Sequence, residues 1–127
     1  MVLVFSIHVL AVMRTWYFLY PWIDIPLHLA GGFLSALGAY LFLKYRPQWF
    51  CIETRNILTP SLLMLGSAAL IGIGWEFFEF SYDMIAKPNT ISAIAQLGVR
   101  DTMGDLFFDL FGACIAIGAF LFSRPRN

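Results

Sequence analysis

Residues 57–83 read ILTPSLLMLGSAALIGIGWEFFEFSYD. No charge occurs from Ile57 to Trp75, a run close to the roughly 20 apolar residues that cross a bilayer. Glu76, Glu79 and Asp83 then follow at spacings of three and four, which places them on one helix face. An acidic side chain at the bilayer centre costs about 2.5–3.5 kcal/mol on insertion scales, so such residues are rare without a purpose. The stretch reads as a membrane span with an acidic face at one end.

Two other segments repeat the arrangement. Asp24 lies four residues ahead of His28 and shares a face with Gly31 and Ser35. Asp101, Asp105 and Asp109 step by four and lead on to Gly112 and Ala116. Of the eight carboxylates, only Glu53 lies away from this end of the apolar segments. Each polar face continues into small residues, the spacing that lets membrane helices approach closely. The three faces are therefore expected to point at one another rather than at lipid.

Composition sets the class. Hydrophobic residues make up 60% of the 127 and charged residues 13%, about half the charged share of a soluble domain. The fold expected is all-α: a polytopic membrane protein of about four transmembrane helices in one bundle, a single integral domain over residues 1–127. The spans expected are about 2–22, 27–43, 57–80 and 104–122. Thr90 to Leu97, before the last span, reads as a short interfacial or re-entrant segment. The first span lacks a basic n-region and is longer than a secretory h-region, so it reads as retained. Net charge is zero and no basic patch occurs, which argues against nucleic acid as a partner. Cys51, in a polar loop, and Cys114, in an apolar run, read as free thiols.

Orientation follows from the basic residues. Lys44, Arg46 and Arg55 lie between the second and third spans, and Arg124 and Arg126 at the C-terminus, whereas the other side has Lys87 and Arg100. The bias puts both termini and the central loop on the cytoplasmic side of an inner membrane. Arg14, inside the first span, reads as an internal counter-charge for the acidic cluster. Asp24-x-x-x-His28-Leu-x-Gly31-Gly32 also echoes Asp105-x-x-x-Asp109-Leu-x-Gly112-Ala113, which fits two hairpins in parallel orientation, although spans one and three do not support the echo.

Carboxylates gathered in a partly dry space cannot all ionise unpaired, so protons, Arg14 or Arg100, or divalent cations must compensate. A His among Asp and Glu at helical spacing is the donor set of carboxylate-rich metal sites. The expected ligands are His28, Glu76, Glu79, Asp105 and Asp109, for Mg²⁺, Mn²⁺ or Zn²⁺. Glu76, Glu79 and Asp105 are the candidate catalytic groups, as base or ligand. Asp24 and Asp101 form an outer shell, and Arg14 or Arg100 meets an anionic group. Plainer roles exist for some of these residues. Asp24 and Asp101 suit helix N-caps, Asp83 suits a solvated loop, and His8 suits a packed polar residue with a backbone partner. Trp75 and the phenylalanines beside the glutamates read as packing or interface anchors.

Asp24-x-x-x-His28-x-x-Gly31-Gly32-Phe33, Trp75-Glu76-x-x-Glu79, and Asp101-Thr102-x-x-Asp105-x-x-x-Asp109 with Gly112-Ala113 resemble the signature of YjdF-like inner-membrane proteins. VanZ-like proteins are similar at a greater distance. The resemblance implies a polytopic α-helical membrane protein with these residues at its core, and it brings no reaction with it. The leading functional expectation is metal-dependent hydrolysis or transfer on a lipid-like or amphiphilic envelope substrate. The alternatives are a proton or cation pathway through the carboxylates, and a non-catalytic membrane assembly or envelope-stress protein. Expected partners are membrane lipid and a second copy of the chain.

Overall fold

The computed structural model describes residues 2–45, 57–86, 95 and 97–123. All regular structure among them is helical: α1 (Val2–Met13), α2 (Trp16–Leu19), a 3₁₀ turn (Pro21–Ile23), α3 (Asp24–Tyr45), α4 (Leu58–Ala86) and α5 (Val99–Phe122). Three stretches, Pro21–Tyr45, Leu58–Ile85 and Val99–Phe122, are long and apolar enough to cross a membrane. They extend beyond the expected 27–43, 57–80 and 104–122. The helices continue through their polar ends because the acidic side chains there find partners. Asp24 faces His28, Asp83 accepts from the Ala95 N–H, and Asp101 accepts from the Leu97 N–H.

The expected first span, 2–22, is broken into pieces instead of forming a fourth long helix. At 12 residues, α1 is about 18 Å long, short of the roughly 30 Å hydrocarbon core. Thr15 ends it, with φ 56° and ψ 30° in the left-handed region, an outlier for a β-branched residue. Pro21 makes the second break. The residue before a proline is pushed out of the helical region, and Tyr20 sits at φ −137°, ψ 73°. Most of Thr90–Leu97, the segment expected to be interfacial or re-entrant, lies outside the described residues, as do Cys51 and Arg46.

α3 and α5 run parallel and form the largest contact, with α4 antiparallel against both. The acidic ends of all three helices therefore meet at one end of the bundle. The other end is an apolar core of Ala36, Met64, Ala68, Ala113, Ala116 and Phe120. Two glycines set the α3–α5 distance. A Cβ on Gly32 would strike the Asp109 backbone carbonyl, and one on Gly112 would strike the carbonyl of Leu29. Close backbone approach through small residues is how helices associate without a hydrophobic driving force. The echo between the Asp24 and Asp105 segments thus falls on two parallel helices that cross through reciprocal glycine contacts.

The bundle is polar inside and apolar outside at its acidic end. Glu76 and Glu79 are 6% and 1% exposed, while Phe77 between them is 68% exposed. That inversion suits a hydrocarbon surround rather than water.

Candidate functional site

α3 contributes Asp24 and His28, α4 contributes Glu76 and Glu79, and α5 contributes Asp105 and Asp109, all of them buried. The carboxylates lie around the His28 ring. Its Nε2 is 3.4 Å from Asp24 Oδ1 and 3.9 Å from Asp105 Oδ1. Its Nδ1 is 3.3 Å from Asp109 Oδ2. The space for Asp109 comes from α4, where a Cβ on Gly72 would collide with the carboxylate; on Gly31 it would lie 3.6 Å from Oδ1.

Two sets of donors come within 4.8 Å of one another: Asp24, His28 and Asp105, and His28, Glu76 and Glu79. Four of the five expected ligands, His28, Glu76, Glu79 and Asp105, thus fall in one or other of two sets that share His28. Asp109 is in neither set and holds the far nitrogen of the ring. Asp24, expected in an outer shell, stands beside Asp105 instead. The Oδ2 atom of Asp105 is buried without a hydrogen-bond partner among the described residues. An orphaned buried oxygen of this kind carries a full desolvation cost unless something meets it.

A second arm reaches Glu79 from the first segment. The Trp75 indole N–H donates to Glu79 Oε1 at 2.9 Å, and His8 Nδ1 lies 3.5 Å from the same oxygen. His8 Nδ1 also shares a 2.7 Å hydrogen bond with the Tyr17 hydroxyl. The backbone partner expected for His8 is therefore replaced by side chains, because the turn at Arg14 and Thr15 folds α2 back beside it. Trp75 does pack, edge-on to His8 with ring centres 4.6 Å apart, and it is a hydrogen-bond donor as well. Its spacing of four from Glu79 is a legible signal of a shared face. No local pattern links His8 with Tyr17.

The remaining candidates lie at the margin. Asp101, in the first turn of α5, accepts from the Leu97 N–H at 3.0 Å; the N-cap expected of it is Gly98 instead, which makes no side-chain cap bond. Arg100 is exposed near it, and Arg14 is exposed in the turn after α1. Neither makes an ion pair with the cluster among the described residues. The basic side chains that face the carboxylates are His8 and His28. Two imidazoles are fewer than the carboxylates around them, so protons or a cation must balance the rest. Cys114 is a free thiol, exposed on α5.

No curated protein and no solved structure matches the chain. The model of a family described as "Predicted membrane protein (DUF2238)" matches residues 1–126. That match agrees with three membrane-length helices that enclose acidic and His side chains. The chain belongs to the DUF2238 family and is a multi-pass membrane protein.

Proposed function

We propose that the cluster around His28 binds a divalent cation, Mg²⁺, Mn²⁺ or Zn²⁺, for hydrolysis or transfer on a lipid-like or amphiphilic substrate. The observation that carries this reading is the pair of donor sets that share His28 across α3, α4 and α5. Small side-chain rotations would bring either set onto one ion. The buried, unpartnered Oδ2 of Asp105 is the atom such an ion would satisfy.

Each residue then has a role. Asp109 accepts from Nδ1–H of His28 and fixes the ring, so that Nε2 faces Asp24 and Asp105, an outer-shell arrangement that favours metal ligation. Glu76 and Glu79 complete the set from α4, and whichever carboxylate stays off the ion serves as proton acceptor. A bound divalent ion would polarise a phosphoryl or carbonyl oxygen of the substrate. Trp75, His8 and Tyr17 hold Glu79. The inner-membrane location, cytoplasmic termini and a homo-oligomer belong to the same reading, as does the YjdF-like and more distant VanZ-like resemblance.

A proton or cation pathway has less support. On the far side of the cluster the interior is Ala36, Met64, Ala68, Ala113 and Ala116, with Tyr40 packed against it and no carboxylate or imidazole in that core among the described residues. A purely structural network is the reading left if nothing binds. Thermal unfolding in mild detergent tests the proposal. Saturating Mn²⁺ or Zn²⁺ at about 100 times its Kd stabilises a one-site protein by about 2.7 kcal/mol. The wild type should gain a clear upward shift that Asp105→Asn lacks. Equal shifts in both proteins would place the ion elsewhere.

A further inference from the structure

Two cavities meet the His28 cluster, one almost wholly apolar and one of mixed lining, and Asp24 lines both. One, of about 350 Å³, lies beneath α1 between α3 and α4, with Phe5, Leu27, Ile71 and Trp75 as walls and Asp24, His28 and Asp109 at its polar end. The other, of about 490 Å³, is the mouth at the start of α5, lined by Arg100 and Asp101 with Asp105 at its base. Volumes of this order hold drug-sized molecules, which bind in mostly apolar clefts oriented by a few polar groups. Along α3 the apolar cavity reaches from Asp24 to Gly31, about 10 Å at the helical rise.

We propose that the apolar cavity holds the hydrocarbon chain of an amphiphile and that the chain ends in an anionic phosphate group at the His28 cluster. This assignment rests on the metal reading above. The tail follows from the walls, which are mostly apolar; besides Asp24, His28 and Asp109 the polar groups that line them are His8 and Tyr17, which already bond each other. The sign of the head follows from the proposed ion. Carboxylates alone would repel an anion, whereas a divalent ion among them inverts that logic. Arg100, exposed at the mouth and free of ion pairs among the described residues, supplies a second positive group. A cationic head would instead compete with the ion for the same carboxylates, Asp24 and Asp105 among them.

The test is photolabelling of the full chain in maltoside detergent with an alkyl phosphate that bears a diazirine at the chain terminus, read by peptide mass spectrometry. Probes of the same chain with a trimethylammonium or a hydroxyl head run beside it, and the metal content of each sample is measured. The phosphate probe should label the α1, α3 and α4 peptides around Phe5, Leu27 and Ile71, and unlabelled alkyl phosphate should compete. Free inorganic phosphate should compete weakly, because it lacks the chain. Ile71→Trp, which narrows the cavity at a residue outside the proposed ligand set, should cut labelling about tenfold, the worth of roughly two buried methylenes, with metal content unchanged. Leu27→Phe serves as a second filling variant if Ile71→Trp misfolds. Labelling spread over exposed Phe77, Phe107 and Phe122, or insensitive to both variants, would overturn the tail assignment. Preference for the ammonium probe would overturn the anionic head. Metal-free protein that still takes up the chain in this cavity would instead remove the metal reading on which the head assignment depends.

Discussion

His28 and Asp109 meet at 3.3 Å across the one crossing where α3 and α5 touch backbone to backbone. Gly32 lies against the Asp109 carbonyl and Gly112 against that of Leu29. The same small residues that close the bundle therefore bring the imidazole and the carboxylate together.

Filling that crossing should open it. Gly32→Ala and Gly112→Ala each place a methyl group against a main-chain atom that cannot rotate away, and overpacking of this kind costs about 1–3 kcal/mol. Gly66, whose Cβ would meet nothing within 4 Å, is the control. Gly66→Ala should be neutral or stabilising by up to about 1 kcal/mol. Equilibrium unfolding in mixed micelles checks all three, and equal losses would show that the crossing is looser than described.

Asp109 is proposed to orient the ring rather than to ligate. Asp109→Asn should therefore weaken metal binding by about 10- to 100-fold, as loss of an outer-shell carboxylate does, while Asp105→Asn abolishes it. Titration calorimetry with Mn²⁺ separates the two. Identical behaviour would return Asp109 to the ligand set.

Trp75→Phe keeps an aromatic ring, smaller by the fused pyrrole, and removes the N–H that meets Glu79. A buried acceptor that loses a donor costs about 1–3 kcal/mol. His8→Phe and Tyr17→Phe should be coupled to each other by about 1 kcal/mol in a double-mutant cycle. Additive losses would mean that the 2.7 Å contact contributes nothing.

Because α3 and α5 run parallel, the start of α5 and the end of α3 lie on opposite sides of the membrane. In a Cys51→Ser, Cys114→Ser background, Lys44→Cys and Arg100→Cys should react with an impermeant maleimide from opposite faces, Lys44→Cys from the cytoplasmic one. Reaction of both from one face would contradict the three-span arrangement. Reaction from opposite faces in the reverse sense would contradict only the orientation.

Much of this was legible in the chain because membrane helices carry strong, local signals. The uncharged run before Glu76 gave its span, and the spacings Asp24–His28, Glu76–Glu79 and Asp105–Asp109 gave three faces that do converge. The break at Thr15 was not legible, since nothing local marks a β-branched residue as left-handed, and apolar and aromatic residues continue past it to Trp22. The division of labour around His28 was also hidden. Spacing alone ranks Asp109 with Asp105, and only the α3–α5 crossing decides which nitrogen each one meets. His8 and Tyr17 reach Glu79 through a turn that periodicity does not describe. Asp101 suits an N-cap by residue type, but Gly98 holds that position and Asp101 sits inside the first turn, where an acidic side chain favours the helix N-terminus.

The most direct measurement is divalent metal content, by inductively coupled plasma mass spectrometry, of protein purified in mild detergent without chelator, beside Glu76→Gln and Asp105→Asn. Circular dichroism should show that all three proteins keep their helices. Near-stoichiometric metal in the wild type, lost in both variants, is the result predicted. Well-folded wild type that stays metal-free after exposure to Mg²⁺, Mn²⁺ and Zn²⁺ would contradict the account and leave the carboxylates to proton transfer or packing.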